Sequence, residues 1–349
     1  MSSFTECIAR LEGADETERT YAAEDLGYLN VPEGIPALLE RLAVEPSLAV
    51  RDAIFQALIR SDGDAPIEGC VGLLASDDPQ IRNQAVDVLR RRGAPSIPFL
   101  HTAMRGGDKD IRKLVLDVLS GIQAGDTAAL YAAALSDKDP NVVITAVENL
   151  GRIRAVQFRS RIEDLLQAGT HPMLMAACVE ALVGIGQEAS LAAIRRCFPD
   201  LATLPDFFLV SCLKAIAAFG TAGDFAEVAG LLPVRGPHLR PAILGALLAI
   251  HPRCLSTDAV TGLLPALQAT VEDGDPPLCR YQATRVLGLC AAHDDVHAFL
   301  VSCLSSAERL VRLGAAESLR ASGRPELEPL LAARALEESD EEVLQALGC

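Results

Sequence analysis

Tryptophan is absent from this 349-residue chain, and Phe, Trp and Tyr together supply only 4% of it. A groove that reads bases by stacking therefore has little to be built from. Basic residues are short as well: 31 Lys and Arg against 47 Asp and Glu leave a formal charge of −16. A general nucleic-acid surface needs net positive charge to release phosphate counterions, so no specific nucleic acid is expected as a partner. No Cys-x-x-Cys occurs among the ten cysteines, whose irregular spacing fits neither a zinc site nor a redox pair. They read as reduced thiols inside the fold, with only Cys349 expected to be exposed and reactive. No phosphate-binding Gly-rich loop and no Gly-x-Ser-x-Gly elbow is present. No apolar run reaches membrane-spanning length, and the start Met1-Ser2-Ser3-Phe4-Thr5-Glu6 has no secretion signal. Membrane insertion is not expected, and a cytoplasmic location is.

What the chain has instead is a pattern that returns about every thirty residues: an aliphatic residue, usually Arg, then Ala and Leu. Val50-Arg51, Ile81-Arg82, Ile111-Arg112, Leu239-Arg240, Cys279-Arg280 and Val311-Arg312 mark it. Each period holds two amphipathic segments, such as Ile35, Leu38, Leu39 and Leu42 followed by the Val50 motif. Asp77-Asp78-Pro79 and Asp137-Lys138-Asp139-Pro140 place an N-cap Asp before a Pro that needs no donor. Gly93, Gly151, Gly186 and Gly220 stand where left-handed C-caps are expected. The spacing predicts helix pairs at 34–43 with 47–60, 64–75 with 79–92, 95–105 with 109–122, and 125–135 with 139–153. It continues with 155–168 and 171–185, 188–198 and 205–219, 222–232 and 237–250, 258–271 and 276–291, 294–304 and 307–321, and 325–337 and 340–347. The fold class is all-α, an α-solenoid of ten to eleven helical hairpins forming one domain over 1–349. Residues 1–30 and 325–349 are expected to cap it, because terminal repeats expose one face. The turns at 199–205 and 270–277 break the period.

The paired helices and the Asp-x-x-aliphatic-Arg start of each second helix, as in Asp78 to Arg82 and Asp108 to Arg112, resemble HEAT repeats. The period of about 31 residues resembles the short bacterial type, also found in phycobilin lyase subunits. That resemblance implies a protein-binding scaffold with second helices lining a concave face. It also implies that Arg51, Arg82, Arg112, Arg240, Arg280, Arg312, Asp78 and Asp108 link adjacent repeats as a structural ladder. Arg suits the task because its rigid fork bonds a carboxylate twice.

At the ladder position the central repeats carry Val143, Met175 and Leu209, with Met173 and Phe207 beside them. These five form the candidate partner-binding strip, since contiguous exposed apolar surface marks an interaction site, or else they are core residues of more deeply packed central repeats. Arg90, Arg91 and Arg92 are a candidate anion-binding cluster or else complement a helix C-terminus. His293 and His297 stand one helical turn apart without a third ligand, so no metal and no cofactor is expected. No His is followed by Glu, which rules out the His-Glu di-iron centre of the HEAT-like deoxyhypusine hydroxylases. The expected function is a non-catalytic scaffold or adaptor for another protein, of undetermined oligomeric state. The alternative is a lyase or accessory subunit acting on a bilin-bearing protein.

Overall fold

The computed structural model describes residues 3–122, 127–253, 261–272 and 275–348. Cys349, expected from the sequence to be reactive, lies outside the described residues, as does part of the 270–277 turn. Every described element is helical, and the chain divides into two compact units, residues 1–153 and 154–349. In the first unit α1 (Phe4–Leu11) pairs with α2 (Glu16–Leu29), α3 (Gly34–Val44) with α4 (Leu48–Arg60), and α5 (Ala65–Leu73) with α6 (Pro79–Arg92). The hairpins α7 (Ile97–Gly106) with α8 (Lys109–Ser120) and α9 (Thr127–Ala134) with α10 (Pro140–Arg152) complete it. The second unit stacks α11 (Arg159–Ala168) with α12 (Pro172–Ile185), α13 (Ala189–Cys197) with α14 (Asp206–Phe219), and α15 (Ala222–Leu231) with α16 (Arg240–Ile250). It ends with α17 (Leu264–Glu272) and α18 (Pro277–Gly288), α19 (Asp294–Cys303) and α20 (Arg309–Ala321), and α21 (Glu328–Ala335) and α22 (Glu341–Leu347). Within each unit, every second helix packs on the second helix of the next hairpin, the arrangement of an α-solenoid.

Local chemistry explains the hairpins. Asp78 accepts from the Gln80 amide at 2.8 Å and Asp139 from the Asn141 amide at 2.9 Å, starting α6 and α10 behind their prolines. Asp15, Ser47, Asp108 and Asp340 cap α2, α4, α8 and α22 in the same way. In the second unit, α12, α14, α16, α18 and α20 start without a side-chain cap. Gly186 is left-handed at φ 79°, as its position predicts, and Gly93 has positive φ in another region. Gly220 is extended and Gly151 lies inside α10, so those two do not make the expected left-handed ends. Asn30 does, at φ 52°, and its amide locks the end of α2 to Asp62 of the next hairpin at 2.6 Å. α17 runs to Glu272, into the turn expected at 270–277, and residues 254–260 and 273–274 lie outside the described residues.

Small residues let the second helices approach closely. A Cβ on Gly27 would stand 2.8 Å from the Ala57 Cα, and a Cβ on Gly288 would overlap the Ser318 side chain. The core between them is aliphatic, with Ile54, Leu58, Leu89, Leu119, Leu182, Ile216, Leu247 and Leu287 buried. Cysteines fill small core positions: Cys178 and Cys212 are buried at equivalent points of α12 and α14. Burial pushes the thiols of Cys70, Cys178 and Cys212 up to about 12, far from the thiolate that reacts. Short iodoacetamide treatment at pH 8 is therefore expected to leave these three unmodified until denaturant is added. Peptide mapping that found them alkylated in the native protein would show that these hairpins open readily.

Candidate protein-binding surface

The arginines near the second-helix starts are committed to joining hairpins. Arg51 Nη1 donates to Asp78 at 2.7 Å, and its Nε donates to the Glu45 carbonyl at 2.6 Å. Arg112 grips Asp137 with both arms of its fork, at 2.6 and 2.7 Å, and reaches back to the Gly107 carbonyl. Arg240 pairs with Asp275, and Arg312 holds Glu338 twice, at 2.7 and 3.0 Å. Arg280 stands 3.6 Å from Glu308 and donates to the Val271 carbonyl. Each guanidinium thus bridges its own turn to the turn of the next hairpin. Arg82 donates back to the Ser76 carbonyl at 2.6 Å, and Asp108 serves as the cap of α8.

The sequence reading missed the most buried rung. Arg19 donates from Nε and Nη2 to both carboxylate oxygens of Glu45, at 2.8 and 3.0 Å, with Glu45 fully buried. The signal was present, since Arg19 follows Asp15 at the spacing that Arg82 keeps to Asp78. Burial alone would raise the Glu45 carboxyl, but the bonds from Arg19, the Ser47 amide and Arg41 outweigh it and hold it at about 2. At Glu338 the hydrogen bonds from Arg312 lead, and again the value is about 2. A carboxylate whose folded value is depressed stabilises the fold above its ordinary value and loses that effect as pH falls through the folded one. The contribution of these two rungs should therefore be full and independent of pH near neutrality, and should be lost as pH falls between about 4.5 and 2. Denaturant melts across that window check this, and an Arg312→Met variant should show a shallower fall.

The basic cluster and the central strip turn out differently from the sequence reading. Arg92 donates to the Ser61 and Gly63 carbonyls beyond the end of α4, and Arg90 to the Asp117 carbonyl at 2.9 Å. Those two arginines tie neighbouring hairpins together, so a three-arginine anion site is not formed, although Arg91 is exposed. Of the strip, Val143 is 5% and Leu209 0% exposed, and both belong to the core. The reason is geometric. A long Arg at this position reaches out to a carboxylate, whereas a short aliphatic side chain turns into the adjacent apolar layer. Met175 is half-buried, while Met173 and Phe207 are exposed at 53% and 46%.

Met173 and Phe207 belong to a different surface. In the second unit, exposed large apolar residues gather where the first helix of a hairpin turns into the second. Besides Met173 and Phe207 these are Val234, Leu278 and Leu336, at 65%, 56% and 89% exposure, with Leu310 half-buried in the same place. Side-chain bonds run from turn to turn along this edge. Arg235 donates to the Leu201 and Leu204 carbonyls, and His238 lies 2.6 Å from Asp206. Arg240–Asp275, Arg280–Glu308 and Arg312–Glu338 continue the series, so the turns carrying Phe207, Val234, Leu278, Leu310 and Leu336 are linked one to the next. In the first unit the matching second-helix position is Gln80, Asp110 or Asn141, and the turn edge there exposes Val44 and Leu48 on one hairpin. Sequence periodicity could not reveal Val234 or Leu336, which stand in turns outside any helical stripe.

Among the described residues no three His, Cys, Asp or Glu side chains gather as a metal-holding group. His293 is the residue preceding α19, and the His297 amide bonds back to the His293 carbonyl. No described helix is long and apolar enough to cross a membrane.

A family model for HEAT repeats matches residues 5–90 and 262–348, so HEAT repeats occupy both ends of the chain. A curated relative, the bilin biosynthesis protein PecE of Mastigocladus laminosus, is 37% identical over 171 residues. That match covers 47% of this chain and 56% of the relative, so the chain spans little more than half of the relative's length. Among solved structures, Kap95p in complex with RanGDP aligns with a TM-score of 0.63 at 12% identity, over 98% of this chain and 56% of that one. Kap121p bound to RanGTP gives 0.54 at 14% identity, over 99% and 44%. An engineered protein gives 0.50 at 17% identity, over 93% and 100%. These structural likenesses establish the α-solenoid fold.

Proposed function

We propose that this chain is a non-catalytic HEAT-repeat module that binds another protein through the turn edge of its second unit. The observation that supports it is the series of apolar side chains Phe207, Val234, Leu278 and Leu336, left exposed on turns whose polar groups are used in stacking. A solvent-facing row of this kind is costly to keep in water unless a partner covers it. The test is affinity capture by the full chain from its native lysate under near-physiological salt. One protein retained in a fixed stoichiometry supports the reading, and no stoichiometric partner overturns it.

A second reading is favoured by the 37% identity to a bilin biosynthesis protein. On that reading the bound protein is a bilin acceptor, and this chain assists chromophore attachment. Co-incubation with a linear tetrapyrrole, alone and with the captured partner, distinguishes the two. A new visible absorption band that persists after denaturation would make attachment the function, and a colourless partner would leave the scaffold.

A further inference from the structure

The row on the second unit's turn edge has a spacing and a charge that specify its occupant. Stacked helices lie about 8–10 Å apart, so successive turns present their apolar side chains at about that interval. A partner helix rises about 1.5 Å per residue, and seven residues span about 10.5 Å. An amphipathic helix with apolar residues at heptad positions therefore meets the turns in step, from Phe207 through Val234 and Leu278, then past half-buried Leu310 to Leu336.

The edge is also acidic. Arg235, Arg240, Arg280, Arg309, Arg312 and Arg334 on these turns each already face a carboxylate, while Arg196 at the end of α13 is exposed. Exposed Glu272, Glu341 and Asp200 add negative charge beyond these pairs. The paired arginines thus have no surplus positive charge for an acidic partner, and the three remaining carboxylates outnumber Arg196 and attract a basic one.

We propose that a basic amphipathic helix of a partner protein lies along this edge, its apolar face on Phe207, Val234, Leu278 and Leu336 and its Lys or Arg flanks against the carboxylates. This rests on the protein-binding reading above and adds the chemistry of the partner.

The experiment uses the full chain and a synthetic 28-residue helical peptide with Leu at heptad positions and Lys flanking them, followed by fluorescence anisotropy. A scrambled peptide of equal composition and a peptide with Glu in place of Lys are the controls. The wild type should bind the patterned peptide at least about tenfold more tightly than either control, and more weakly as salt rises. The L278D/L336D variant should lose at least about tenfold in affinity, since each buried Leu contributes on that scale. These side chains are exposed, so folding should survive, and circular dichroism checks it. A V44D/L48D variant in the first unit adds the same charge elsewhere and should bind as the wild type does.

Equal binding of the patterned and scrambled peptides, or unchanged binding by L278D/L336D, overturns the proposal. So does a wild type that elutes as a dimer while L278D/L336D elutes as a monomer, because the row is then covered by a second copy. A natural partner captured equally by wild type and variant overturns the edge assignment and leaves protein binding intact. Absence of any captured partner overturns the protein-binding reading itself.

Discussion

Replacing Glu45 by alanine should destabilise the first unit by about 3–5 kcal/mol, the usual cost of leaving one member of a buried ion pair without its partner. Glu45 is fully buried, Arg19 is 7% exposed, and the guanidinium meets both carboxylate oxygens. The alanine removes the counter-charge and the acceptor for the Ser47 amide, 2.9 Å away, at the start of α4. Arg19 keeps the Gly13 and Ala14 carbonyls, but these are dipoles and do not neutralise it. Arg41 also loses this partner, yet at 19% side-chain exposure it can turn its head to water. For a unit of this size the expected fall in the melting midpoint is roughly 10 °C. An R19M/E45Q pair separates the orphaned charge from the lost packing, because it removes the cation while retaining an acceptor for Ser47. It should recover more than half of the loss. A Glu45→Ala cost below about 1 kcal/mol would mean that water reaches the rung and that apolar packing alone holds α2 to α4.

The hairpins were legible because two periods coincide in the sequence: the helical spacing of Leu and Ala, and the return of Asp, Pro or Gly at each turn. The helix pairs expected at 47–60, 79–92 and 205–219 form at Leu48–Arg60, Pro79–Arg92 and Asp206–Phe219. Ladder partners were harder to read, since Arg112 meets Asp137 and Arg312 meets Glu338, residues of the following hairpin. A sequence shows which residues recur, but which neighbouring turn a long side chain reaches depends on how the hairpins stack. The same limit misplaced Val143 and Leu209. Their periodicity marks a helix start, and only the layer packed beside them decides whether an aliphatic residue there faces water or core. Met173 and Phe207 were legible because they precede that layer, while Val234 and Leu336 carry no periodic signal.

Close contact between second helices gives the other large effect. Gly27 lies twelve residues after Asp15, as Gly288 does after Pro276, and each faces a residue ten positions after the next helix's cap, Ala57 or Ser318. The obstruction differs between the two joints. At Gly27 a new Cβ meets the Ala57 backbone Cα at 2.8 Å and its Cβ at 2.9 Å, so α2 and α4 must move apart. At Gly288 the nearest atoms are the Ser318 Oγ and Cβ, and the Ser318 Cα is 3.3 Å away. Gly27→Ala should therefore cost about 2–3 kcal/mol despite the better helix propensity of Ala, and Gly288→Ala about 1–2 kcal/mol. Rescue should also differ. Ser318→Gly takes away the atoms that block the Cβ introduced by Gly288→Ala and should restore at least about 1 kcal/mol in a double-mutant cycle. Ala57→Gly removes only the Cβ and leaves the backbone contact, so its coupling to Gly27→Ala should be smaller. Denaturant melts of the two cycles decide the point. Equal rescue at both joints would mean that α2 and α4 can separate as easily as a side chain can be trimmed, and the close joint at Gly27 would not be what sets the distance between these hairpins.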